Sequence, residues 1–159
     1  MKILFILFSI FMLVGCDVTN VSEEDKNNYI EYKERCFNNK EATDMDDIMF
    51  DIKISLDRIS DEEVSYRVLI DNAREDMNNV TAIITHDYFT EDIFPSIGIL
   101  DDPVSLKVGD TSSLGIMLVG YINVPKDIDG GDINFNVLIE YVNSSMEKKV
   151  IYYKSTNNL

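Results

Sequence analysis

Two cysteines, one histidine and an excess of carboxylates are the side chains here that could do chemistry. His86 is the lone histidine, so a metal bound at it would lean on carboxylates. Asp87 and Asp92 are the nearest in sequence, and a strand-end or loop histidine is the plainer reading. A nucleophilic triad would need a serine or cysteine beside His86 in a pocket, and "THDYF" marks none. The stretch "DIDGGD" (127–132) sets Asp127, Asp129 and Asp132 around two glycines. Calcium takes several oxygens on a tight loop, which these three carboxylates could supply. The same glycines also suit a turn that needs positive φ. The stretch departs from an EF-hand, because the third ligand is displaced and no glutamate closes the loop. "DMDD" (44–47) is a weaker cluster in a polar segment. Paired carboxylates can hydrolyse a glycoside, but in so acidic a chain no pair stands out. There is no glycine-rich phosphate loop and no G-x-S-x-G. The methionines are not grouped with the histidine as copper handling requires. These residues lead to the expectation of a non-enzymatic protein without a cofactor.

Cys16 has a different setting. One cation, Lys2, precedes an apolar stretch from residue 3 to 14 that only Ser9 interrupts. A spanning helix needs about 20 apolar residues, so this run is too short to cross a bilayer. A charged start, an apolar run of this length and small residues at its end describe a secretory signal. The run closes on "LVGC" (Leu13, Val14, Gly15, Cys16). These four residues resemble the lipobox of bacterial lipoproteins. The resemblance implies a diacylglyceryl group on the Cys16 sulfur, cleavage before Cys16, and a mature chain anchored to the outer face of a membrane. Two or three acyl chains hold firmly where one holds marginally, at about 0.8 kcal/mol per buried CH2. Asp17 follows, which in a two-membrane cell resembles a signal for inner-membrane retention. With Cys16 in a thioether, Cys36 has no intrachain disulfide partner and is expected as a small buried hydrophobe, with an intermolecular disulfide as the alternative.

Composition narrows the partners. The chain counts 14 Lys+Arg against 29 Asp+Glu, a net charge of −15. Such a chain would be repelled by nucleic acid and by anionic lipid. Residues 16–159 make one domain's worth of chain, large enough to bury a core without disulfides or metal.

The elements follow from periodicity. Residues 17–21 read as a polar tether. Ser22 opens "SEED", a capping pattern with acids at the positive end of a helix. Tyr29, Tyr32, Cys36 and Phe37 recur on one helical face, so a helix is predicted over 23–37, lying as a lid on one edge of the following domain. Residues 38–47, "NNKEATDMDD", read as an acidic linker. The period then changes from 3.6 to 2. Alternating runs begin at Phe50, Val64, Val80, Val104, Leu114 and Ile133, and Val150 to Tyr153 closes the chain, with polar turns between. The run from Leu114 is apolar on both sides. About seven antiparallel strands at this spacing predict a two-sheet sandwich. The stretch "VSYRVLIDNA…NNVTAII…VSLKVGDTSSLGIML…INFNVLIEY" resembles the immunoglobulin-like domains of bacterial surface proteins, though the Cys…Trp…Cys core of antibody domains is absent. The expected organisation is a signal peptide over 1–15; tether, helix and linker over 16–47; an Ig-like sandwich over 48–155; and a polar tail over 156–159.

One segment could work by contact alone. "HDYFTEDIFPSIGIL" (86–100) carries Tyr88, Phe89, Ile93, Phe94 and Ile97 without strict alternation. Aromatic side chains on a loop anchor interfaces well, and they equally plug one end of a sandwich. The expected function is a membrane-anchored binding or accessory module of the cell envelope, with Tyr88, Phe89 and Phe94 against a protein or envelope ligand. The alternatives are a calcium-stabilised adhesion module built on Asp127, Asp129 and Asp132, and an envelope hydrolase using carboxylates.

Overall fold

The computed structural model describes residues 22–90, 92–110, 115–124 and 131–158. One helix, α1 (Glu23–Asn38), precedes a 3-10 turn (Met45–Asp47) and eight strands. The strands are β1 (Asp51–Arg58), β2 (Glu63–Asp71), β3 (Met77–His86), β4 (Ser96–Ile97), β5 (Val104–Leu106), β6 (Ile116–Asn123), β7 (Asp132–Val142) and β8 (Lys148–Asn158). They form two antiparallel sheets. One has the order β1-β2-β6; the other runs β4-β3-β7-β8, with β5 also on β3. This is the mainly β, two-sheet sandwich that the alternation predicts. The strand order is that of an Ig sandwich whose A, B and E strands face C, F and G.

The helix begins where its sequence says it should. Ser22 Oγ accepts the Asp25 N–H at 3.0 Å, and Glu23, Glu24 and Asp25 fill the first turn. It lies over the outer face of the five-stranded sheet rather than at an edge. Cys36, Tyr29 and Tyr32 pack there on Ile83 and Leu138. That position explains why β3 and β7 each hold a run of five buried residues, Ala82–His86 and Val137–Tyr141, where strict alternation would leave every second one wet. Their inner faces join the main core with Tyr66, Val68, Ile70, Ile122 and Phe135.

Glu140 ties the helix down. It is 3 % exposed, on the helix-facing side of β7. It accepts from Tyr32 Oη at 2.7 Å and pairs with Arg35 and with Lys148, the latter at 2.8 Å. Burial pushes its pKa up, but hydrogen bonds from Lys148, Tyr32 and Arg35 outweigh this and hold it below the ordinary value.

Three segments differ from the periodicity reading. The acidic segment before β1 is strapped to β8, since the Thr43 N–H donates to the Tyr152 carbonyl at 2.8 Å and Thr43 Oγ1 accepts the Tyr152 N–H at 2.9 Å. The polar end of the chain is strand, not tail, as Asp132 pairs with Asn158. The short β4 arises in the aromatic segment, where Ser96 and Ile97 pair with Ile83 and Ala82. No helix among the described residues is long and apolar enough to cross a membrane.

Candidate functional site

The segment after β3 returns on itself and leaves a pocket of about 260 Å3 between the two sheets. β2 contributes Tyr66, β3 contributes His86 and β6 contributes Val119, Gly120 and Tyr121. The loop supplies Thr90, Asp92, Ile93, Phe94 and Pro95. Gly120 points inward in an alternating strand, and its missing side chain is a steric requirement. A Cβ there would run into the Tyr66 ring and come within 2.8 Å of Pro95 Cγ.

His86 forms part of the pocket wall and is 1 % exposed. Its ring meets Tyr66 at 5.3 Å, Phe94 at 5.1 Å and Phe135 at 6.0 Å, all edge-on. Neither ring nitrogen has a partner in good hydrogen-bond geometry, although the Tyr88 backbone lies close enough to act on the ring, and such an arrangement costs about 1–3 kcal/mol. Burial holds its pKa below the usual 6.5, which the Tyr88 backbone and the Asp87 charge oppose only in part. The imidazole is therefore neutral at pH 7. Asp87 faces away from any joint metal site: its carboxylate accepts the Asn134 N–H at 3.1 Å and the Asn134 amide at 2.6 Å.

The three aromatic residues expected at a partner surface separate. Phe89 is 82 % exposed, and Ile93 close by is 69 % exposed. Tyr88 is half-buried against the core. Phe94 turns inward, with His86 on one side and Phe37 of α1 at 6.3 Å on the other. Its N–H donates to Tyr29 Oη at 2.8 Å, which links the loop to the helix.

Other candidate residues lie apart from this pocket. Cys16, Asp127 and Asp129 fall outside the described residues. Asp132 starts β7, exposed, and accepts from the Asn158 amide at 3.2 Å. No group of three or more His, Cys, Asp or Glu that could hold a metal ion occurs among the described residues. Cys36 is buried beneath α1, with its Sγ 3.3 Å from the Asn136 carbonyl and 3.5 Å from Thr85 Oγ1. Burial raises its pKa to about 11. A disulfide to another chain therefore requires α1 to lift first.

Sequence reasoning missed the part played by Tyr66 and Gly120. Tyr66 reads as one more residue of an alternating run, and nothing in the sequence singles out Gly120. Only the pairing of Tyr66 with Gly120 across β2 and β6 brings them together. No family model matches the sequence, and no curated protein matches it.

Proposed function

We propose that the protein is a lipid-anchored extracytoplasmic component of a bacterial envelope, held to the membrane through Cys16, and that it acts as a non-enzymatic binding or accessory module. The contact surface is the 88–95 loop with the adjoining outer face of β6. One observation carries the binding assignment. Phe89 and Ile93 stand exposed beside an open pocket, while the outward residues of β6 next to it, Met117, Val119 and Tyr121, are 54 %, 42 % and 51 % exposed. Apolar side chains gathered around a recess are the usual anchor of an interface. The anchor assignment rests on "LVGC" at the end of the apolar leader.

Two measurements test this. Cys16→Ser is expected to move the protein from the membrane fraction to the soluble fraction, and unchanged partitioning rejects the anchor. A photo-crosslinking phenylalanine analogue in place of Phe89 is expected to give a discrete adduct in intact cells. The same analogue at Met146, 83 % exposed on the far β7–β8 turn, is expected to give none. Equal labelling at both positions, or none at either, rejects the contact surface.

A further inference from the structure

Among the described residues, β6 has one unpaired edge. The Ile59 N–H donates to Glu63 O, and the Val124 N–H to Glu62 O. Antiparallel pairing alternates, so odd residues of β2 bond to β1 and even ones to β6. On β6 the even residues therefore bond to β2. Met117, Val119, Tyr121 and Asn123 aim their N–H and C=O groups away from the sheet, and β6 pairs only with β2 among the described residues.

The β1 and β8 edges carry charge, and β6 does not. β1 carries Asp51, Lys53, Asp57 and Arg58. β8 carries Lys148, Lys149 and Lys154 and is strapped by Thr43. β6 reads IMLVGYIN, with no charge and no proline, in a chain of net charge −15. Proteins normally blunt an exposed edge with charge, proline or a covering segment. In the Ig order, a fourth strand pairs at this place outside strand E.

The pocket lies beside the same edge. A strand added along β6 would place one inward side chain opposite Gly120, where Gly120, Val119 and Tyr121 line one side of the pocket. The imidazole of His86, without a well-placed partner, belongs to the pocket wall.

We propose that β6 receives an extended segment of a second polypeptide, which completes the sheet by strand addition and lodges one side chain in the pocket beside Gly120. This proposal rests on the binding-module reading above and names its partner class: an alternating apolar segment, free of acids and flanked by basic residues. The main-chain groups of residues 117, 119, 121 and 123 supply affinity, and the pocket supplies selectivity. The charge of −15 favours a basic partner. A second copy of this chain fits less well. β6 paired with itself about Val119 sets Leu118 opposite Gly120, and Leu118 already belongs to its own core, so the pocket stays unfilled.

The test selects from a random dodecapeptide library displayed on phage, with the intact mature chain as bait. Enriched peptides are expected to alternate apolar residues and carry lysine or arginine at their ends. A synthetic copy is expected to slow hydrogen exchange at the Met117, Val119 and Tyr121 amides at least tenfold. Val119→Pro, which removes one outward N–H and spares the β2 ladder, is expected to weaken binding at least tenfold with little change in melting. Val119→Thr, which keeps that N–H and alters only the outward side chain, is expected to weaken binding far less than Val119→Pro. Glycine in place of the peptide's central apolar residue is expected to weaken binding at least fivefold. No enrichment, protection at β1 or β8 instead, or insensitivity to Val119→Pro overturns the proposal. So does protection of the β6 amides without peptide that rises with protein concentration, which would give the edge to a second copy. A Phe89 adduct together with any of these results keeps the binding module and removes only strand addition.

Discussion

His86 occupies a site that an aromatic hydrocarbon would fill at lower cost. Three rings surround it and both nitrogens lack well-placed partners. His86→Phe is expected to stabilise the fold by about 1 kcal/mol at pH 7, seen as a higher melting temperature, because the unpaired polar atoms go. The pH dependence has a definite sign. The folded pKa lies below 6.5, so the unfolded chain takes up a proton first as pH falls. Stability from this group is complete above pH 6.5 and is lost as pH drops from there toward the folded value. Melting curves between pH 7.5 and 5 are expected to show that decline in the parent and a smaller one in His86→Phe; identical slopes count against it. Cys36 makes a second residue-level prediction. With its pKa near 11 and α1 above it, the thiol is expected to resist alkylation at pH 8 until denaturant is added.

At the scale of elements, the helix–sheet contact is the one to break. Glu140→Gln keeps the shape, removes the charge facing Arg35 and Lys148, and is expected to cost about 1–2 kcal/mol. Glu140's pKa is depressed in the fold, so its contribution is present above the ordinary carboxylate range and disappears as pH falls through the folded pKa. Cys36 reports this, since a thiol reagent active in acid should reach it in the parent only once the pH falls below the ordinary carboxylate range. In Glu140→Gln that acid-triggered exposure should be absent, and its persistence would mean another group holds α1. Helix and strands were legible because Ser22 and the two periodicities are local signals. The helix's resting place was not, because Cys36 meets Ile83 and Arg35 meets Glu140 across long stretches of chain. The doublet Ile83–Ile84 and the triplet Val137–Leu138–Ile139 carried the hint of sheet buried on both faces. The aromatic loop was legible as a candidate, but which of its rings faces water was not. Phe94 turns inward because β4 and Tyr29 hold the chain on both sides of it. The edge position of β6 likewise depends on pairing with distant β2, so its two apolar sides read as burial and turned out to include an exposed row.

For the whole molecule, net charge is the first quantity to weigh. A net charge of −15 on a fold of this size repels itself. Raising salt from 20 to 500 mM, on the order of a threefold or greater shortening of the screening length, is expected to raise the melting temperature by a few degrees; a fall would show that pairs such as Arg35–Glu140 dominate the balance. The placement of α1 also has a mechanical consequence. If the chain hangs from Cys16, tension enters at Ser22 and peels the helix from its first turn. Tyr29 is strained before Cys36, and Tyr29 is what grips the Phe94 backbone at the rim of the recess. A tug on such a leash would loosen the mouth of the recess before it disturbed the sandwich behind it.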